Sequence, residues 1–212
     1  LHMDHLHLPS LARTATGARV LAPKGSGGLF RPLSHARLDE VAPGESVVLR
    51  VAELSSPEIT VDVVAAAHST SRAPHSRLVA EPVGYVVRVG GFAIYFAGDS
   101  DLCEAMRELG PIDVALLPIW GWGSSLGEGH LDPVRAAVAT AWIDPRHVIP
   151  IHWGTYTPVR PRPGAPAWID DPLAGFTRAL EAEGLGERLV ALRPGEGAAF
   201  GAAGFGAVAR RG

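Results

Sequence analysis

The chain opens Leu1-His2-Met3-Asp4-His5, placing two imidazoles and a carboxylate within four positions. Neutral imidazole and carboxylate oxygen suit a divalent cation of borderline softness, zinc above all. Surface loops and expression tags also carry histidine, so the cluster needs support from elsewhere in the chain. Three further positions supply it. His68 follows the apolar run Ile59–Ala66 and the triplet Ala65-Ala66-Ala67. Asp99 follows Phe92–Phe96 and the step Ala97-Gly98. His152 follows Val148–Ile151. Each lies where a strand is expected to end, and loops held by a rigid sheet are where sites form. A lone histidine at such a place reads as a cap or core residue; several strand ends converging on His, Asp and His are harder to dismiss.

Strands must deliver these residues, and the sequence predicts them. Arg19–Ala22, Val47–Val51 and Ile59–Ala66 are β-branched or apolar runs. Tyr85–Val89 and Phe92–Phe96 flank Gly90-Gly91, the signature of a two-residue hairpin. Val114–Pro118 and Val148–Ile151 read as buried strands, Leu189–Leu192 and Ala198–Phe200 as closing ones. Helices are expected over Pro9–Thr16, over Leu102–Leu109 ahead of Gly110-Pro111, after Asp132-Pro133 with Val134, Val138 and Ile143 as the apolar face, and from Asp171-Pro172 to Gly184 with Leu173, Phe176 and Leu180 inward. Lys24–Gly28 lacks the Lys-Ser/Thr ending of a P-loop and reads as a plain connection. Alternation of strands and helices in the second half predicts α/β layering. No repeat or linker divides residues 1–212, which read as a single domain with a frayed Gly/Ala-rich tail over 201–212.

Composition bounds the rest. A 212-residue chain, 47% hydrophobic and 19% charged, is large enough for its own core. A net charge of −3 offers no bulk electrostatic attraction for nucleic acid, which also argues against a nuclease. The single cysteine, Cys103, excludes an internal disulfide framework and fits a reducing, cytoplasmic setting. No apolar run reaches the roughly 20 residues of a membrane span.

Together these residues resemble the metallo-β-lactamase-fold hydrolases. The resemblance rests on His2-Met3-Asp4-His5 as the tail of an HxHxDH motif, on His68, on Gly98-Asp99 and on Pro150-Ile151-His152-Trp153-Gly154. It runs from residue 2 to about residue 200. Phe96-Ala97-Gly98-Asp99, Gly129-His130-Leu131-Asp132-Pro133 and His152-Trp153-Gly154-Thr155 look most like the branch of the ascorbate-6-phosphate lactonases and N-acyl phosphatidylethanolamine phospholipase D relatives. The resemblance implies an α/β, four-layer αβ/βα sandwich, here without its N-terminal strands. The family's first motif histidine would fall just before Leu1, so the chain reads as N-terminally truncated, with apolar surface and strand edges expected to be open.

Carried over by position, His2 and His68 would hold one divalent ion, Asp4, His5 and His152 a second, and Asp99 would bridge them. Two ions about 3.5–4 Å apart can share a hydroxide that attacks a carbonyl carbon or phosphorus. Zn2+ is the first choice; Mn2+ or Fe2+ fit the same donors. His2 stands where flavin-linked diiron members carry Glu, which favours hydrolysis. The catalytic set is Asp4, Asp99 and His130, His130 either donating a proton or tying its loop to the following helix. The substrate class is a small ester, lactone or phosphodiester. The alternative, motivated by the absent histidine, is a non-catalytic binding domain that keeps the fold. His75, Arg72, Arg77, Trp120 and Trp122 are weaker candidates for lining the site; His7, His35 and His147 read as surface or structural.

Overall fold

The computed structural model describes residues 2, 5–14, 17–31, 37–49, 58–71, 76–121, 124–154, 169, 171–193, 195–201 and 204–210. Its centre is a six-stranded sheet in strict chain order: β3 (Ser46–Leu49), β4 (Ile59–Ala65), β5 (Val83–Val89), β6 (Phe92–Phe96), β7 (Val114–Pro118) and β8 (His147–Ile151). The first four strands pair antiparallel and the last three parallel. It follows that β4, β6, β7 and β8 all point the same way, and their carboxyl ends share one edge of the sheet.

Two parallel strands, β1 (Arg19–Pro23) and β2 (Arg37–Val41), form a separate small sheet. Its local core gathers Ala22 and Phe30 with Leu6, Leu11 and Leu38. Between these strands, the backbone N–H groups of Gly25 and Gly27 donate to Glu40 Oε1 at 2.8 and 3.0 Å. The glycine-rich loop therefore holds the chain's own carboxylate, and it continues into a short helix, α2 (Gly27–Phe30).

The hairpin is the clearest local success of sequence reasoning. Gly90 and Gly91 adopt φ of 56° and 82°, the two positive values a primed two-residue turn requires. Helix α3 (Pro133–Ile143) begins as expected: Asp132 accepts the Arg135 N–H at 2.8 Å and Pro133 occupies the first turn. Its buried stripe differs. Ala136, Ala139, Thr140 and Ile143 face the core, spaced by three, one and three residues, whereas Val134 lies two residues off this stripe and is 65% exposed. Helix α4 (Asp171–Ala182) buries Phe176 and Leu180. Small residues let the helices approach; a Cβ on Gly175 would stand 3.2 Å from Pro133. One face of the sheet, carrying Val86, Tyr95, Ala115, Leu117 and Val148, packs on these helices with Met106 and Leu131.

Four local expectations are corrected. Residues Glu104–Glu108 form a short 3₁₀ helix rather than an α-helix, and Cys103 provides no side-chain cap. Leu189–Leu192 contributes one bridge to Val148. The glycine-rich end, expected to fray, pairs as β10 (Gly204–Arg210) against β9 (Glu196–Gly201). Helix α1 (Leu8–Thr14) starts one residue before Pro9. Apolar side chains do remain open: Phe96 on β6 is 42% exposed and Val48 on edge strand β3 44%.

Candidate metal centre

The shared edge of β4, β6, β7 and β8 explains why distant residues meet. His68 follows β4, Asp99 follows β6, His130 lies in the loop after β7, and His152 follows β8. β5 runs oppositely and ends away from the site. The opening segment adds His2 and His5, which are joined by a turn in which the His5 and Leu6 N–H groups donate to His2 O.

Two glycines and one strained residue shape this edge. Gly98 takes φ of +67° and turns the chain so that Asp99 projects from β6. Gly129 takes φ of +82°, and a Cβ there would lie 3.0 Å from His68 Nδ1. His152 itself adopts φ of +59°, a left-handed conformation that disfavours a Cβ by about 1–2 kcal/mol. Strain of this kind concentrates at functional sites.

Backbone carbonyls fix the orientation of three rings. His68 Nδ1 donates to Gly129 O at 2.8 Å, and His152 Nδ1 to Trp120 O at 2.7 Å. His130 Nδ1 donates to Glu128 O at 3.1 Å and Gly127 O at 3.2 Å. A carbonyl only accepts, so each Nδ1 carries a proton and Nε2 is the nitrogen left to face the site. Those nitrogens face Asp99, whose Oδ2 lies 3.2 Å from His130 Nε2, 3.3 Å from His5 Nε2 and 3.4 Å from His68 Nε2. His5 Nε2 stands 3.0 Å from His152 Nε2, and His2 Nδ1 stands 3.3 Å from His68 Nε2.

The electrostatics follow from this geometry. Burial drives the Asp99 carboxyl upward, yet the hydrogen-bonding rings of His130 and His5 and the nearby His152 outweigh it and hold Asp99 well below the usual carboxylate range. Burial lowers His68, only partly offset by Asp99. His130 is raised, chiefly by its contact with Asp99.

The donor set fits divalent cations. Among the described residues, neither buried Asp99 oxygen has a hydrogen-bond partner of good geometry. An unsatisfied buried carboxylate ringed by imidazole lone pairs is costly unless a cation sits among them. Two triplets have donor atoms within 4.8 Å of one another: His2, His68 and Asp99, and His5, Asp99 and His152. Asp99 is common to both. A cavity of about 120 Å³ adjoins them, lined by His2, His5, His68 and Asp99 together with Ser69 and Glu81.

Of the residues singled out from sequence, His2, His5, His68, Asp99, His130 and His152 thus come together. Asp4 lies outside the described residues, as do His35, Arg72, His75 and Trp122. Trp120 contributes its carbonyl to His152. His7 bonds Ser10 Oγ at 2.7 Å, and the His147 ring lies 5.4 Å from that of Phe200, so neither enters the cluster. Sequence reasoning missed Ser100, Glu81 and the carbonyls of Gly129 and Trp120. Only Ser100 had a signal, as the residue directly after Gly98-Asp99.

Comparison with known proteins identifies the family. The family model described as "Beta-lactamase superfamily domain" matches residues 1–153. The UPF0173 metal-dependent hydrolase of Pyrococcus furiosus is 32% identical over 166 residues, covering 76% of this chain and 67% of that protein. The one from Methanopyrus kandleri is 37% identical over 201 residues, covering 92% and 77%. Among solved structures, a metallo hydrolase from Ignicoccus hospitalis superposes with a TM-score of 0.64 at 24% identity, covering 91% of this chain and 73% of its own. CmlA, a diiron β-hydroxylase from Streptomyces venezuelae, also reaches 0.64 at 19% identity, with 42% of its chain covered. These two likenesses concern the fold.

Proposed function

The chain belongs to the β-lactamase superfamily domain family, and within it to the UPF0173 metal-dependent hydrolases, and on that premise we propose that it hydrolyses a small molecule at a two-cation centre built around Asp99. The observation that carries this reading is the pair of donor triplets sharing Asp99, with His68 and His152 locked to present Nε2. His2 and His68 would hold one ion; His5 and His152, joined by Asp4, would hold the other; Asp99 would serve both. The all-nitrogen and oxygen donor set favours zinc, with manganese or iron as fits of the same type. When bound, such ions lower the pKa of water and stabilise negative charge developing on a substrate oxygen.

The chain's own residues supply the remaining requirements. Asp99, held ionised, would offset part of the charge of two cations. His130 points Nε2 into the site and keeps Nδ1 on backbone carbonyls, and its contact with Asp99 favours the protonated ring, which can donate to a leaving group from Nε2. The cavity's small volume suits a compact substrate. The motif likeness to the lactonase and phospholipase D branch supports an ester, lactone or phosphodiester.

Asp99→Asn tests the reading. It keeps the shape and removes the charge shared by both triplets. Elemental analysis of the natively purified protein is expected to give about two transition-metal ions per chain, and the variant should lose both metal and hydrolysis. Full metal content in the variant would refute the assignment of Asp99.

A further inference from the structure

We propose that Ser100 is the positioning residue of the centre, holding the loops of His68, Asp99 and His130 in one register. The inference rests on the metal-centre reading above. Ser100 is fully buried, although it directly follows Asp99. Its Oγ accepts the Ala67 N–H at 2.9 Å and donates to Asp101 O at 2.8 Å. Asp101 returns the contact, its N–H donating to Ala67 O at 2.8 Å. Both backbone groups of the residue preceding His68 are therefore held by the dipeptide that follows Asp99. The same serine reaches the third loop: the Leu131 N–H, next to His130, donates to Ser100 O at 3.0 Å.

The outer end of this clasp is tied to α3. Arg135 places Nε 2.7 Å and Nη2 2.6 Å from Asp101 Oδ1. A second link closes the ring, since His68 Nδ1 bonds Gly129 O in the loop that also carries His130. Three loops from β4, β6 and β7 are thus joined at one residue, whose hydroxyl ties the first two and whose backbone carbonyl holds the third. A hydroxyl is required there, because only a group that accepts and donates at once satisfies both Ala67 N–H and Asp101 O. Among the described residues the Ser100 hydroxyl bonds no ring or carboxylate of the centre, and it acts through the backbone of its neighbours. Support of this kind typically tunes metal affinity by about 10–100-fold.

Ser100→Ala leaves the Ala67 N–H buried without an acceptor and removes one of the two bonds that hold Ala67, the residue before His68, to the Asp99 loop. The expected result is a loss of zinc affinity of about 10–100-fold in competition titrations, with a changed visible spectrum of the cobalt(II)-loaded protein. Ser100→Thr, which keeps the hydroxyl, should restore both. Thr140→Val is the control. Its hydroxyl is equally buried but bonds only Ala136 O within α3, so it should cost stability and leave affinity and spectrum unchanged. Arg135→Gln, at the partly exposed outer end, tests the clasp where Ser100→Ala does not fold and should weaken zinc binding several-fold.

Wild-type zinc affinity and spectrum in Ser100→Ala would overturn the proposal, whatever its thermal stability, as would unaltered affinity in Arg135→Gln if Ser100→Ala is unfolded. Failure of the wild-type protein to take up zinc or cobalt would refute the metal centre instead. In that case the clasp is read in metal-free protein from exchange protection of the His68 Nδ1 proton. Faster exchange in Ser100→Ala supports it and equal protection overturns it.

Discussion

Replacing Gly129 by alanine separates the cost of backbone strain from the cost of moving a candidate ligand. Gly129 sits at φ +82°, so any Cβ costs about 1–2 kcal/mol of folding stability. The same Cβ would lie 3.0 Å from His68 Nδ1 and 3.3 Å from its Cα, where ordinary contact begins near 3.4 Å. The ring must retreat by about 0.4 Å, and its 2.8 Å bond to Gly129 O lengthens toward about 3.2 Å, the outer limit for such a bond. Losing most of a neutral hydrogen bond removes about 0.5–1.5 kcal/mol. Because that bond aims Nε2, the loss should fall on metal affinity, roughly tenfold for 1.4 kcal/mol. Gly184→Ala provides the comparison: φ is +72°, but nothing lies within 4 Å of the added Cβ. Denaturant unfolding of the metal-free proteins should show the strain cost in both variants and a further loss in Gly129→Ala, while zinc competition titration should show weakened binding for Gly129→Ala alone. Equal affinity in the two would refute the claim that Gly129 sets the position of His68.

Three further outcomes follow from named groups. His130→Gln should lower kcat by about 10²–10⁴-fold while retaining most of the bound metal, measured by elemental analysis beside steady-state rates; unchanged kcat would remove His130 from proton transfer. Tyr95 is fully buried and its hydroxyl has no hydrogen-bond partner among the described residues. Tyr95→Phe should therefore be neutral or stabilising by about 1 kcal/mol in urea unfolding, and a clear destabilisation would reveal a partner for that hydroxyl. Burial pushes the Tyr85 phenol up to about 12 from 10.0. The folded state thus keeps a proton that the unfolded chain releases, so the contribution is intact below pH 10 and is lost as pH rises through about 12. Tyr85→Phe should flatten stability across that window relative to the wild-type protein, and parallel curves for the two would contradict the burial.

What the sequence disclosed was the set of donors and the strands that carry them, because both are written in residue types. His68, Asp99 and His152 could be picked out by their position after β-branched or apolar runs, and the Gly90-Gly91 turn and the Asp132 cap by their chemistry. The pairing of His2 with His68 and of His5 with His152 came through family resemblance; the structure brings the donor atoms of each pair, with Asp99, within 4.8 Å of one another. Less legible were features made by backbone. The carbonyls of Gly129 and Trp120 that orient His68 and His152 belong to residues whose side chains play no part in those bonds. The face of α3 was misjudged at Val134 because alanines, weakly apolar in a sequence pattern, fill the narrow space against the sheet.

Strand direction, more than proximity in sequence, accounts for the site. Antiparallel pairing through β5 restores β6 to the direction of β4, and the parallel partners β7 and β8 keep it, so four carboxyl ends are stacked along one edge. A ligand placed after β5 would lie at the opposite edge, about 20 Å away for strands of this length. The hairpin at Gly90-Gly91 is therefore as necessary to the centre as its imidazoles: it reverses the chain once without a crossover and returns Asp99 to the edge that already holds His68. Lengthening that turn would leave the edge intact, since both strands stay in register. Slipping β6 by one residue would instead turn Tyr95 out of the core and carry Asp99 away from the rings. The buried position of Tyr95 and the ionised state of Asp99 are consequences of the same register.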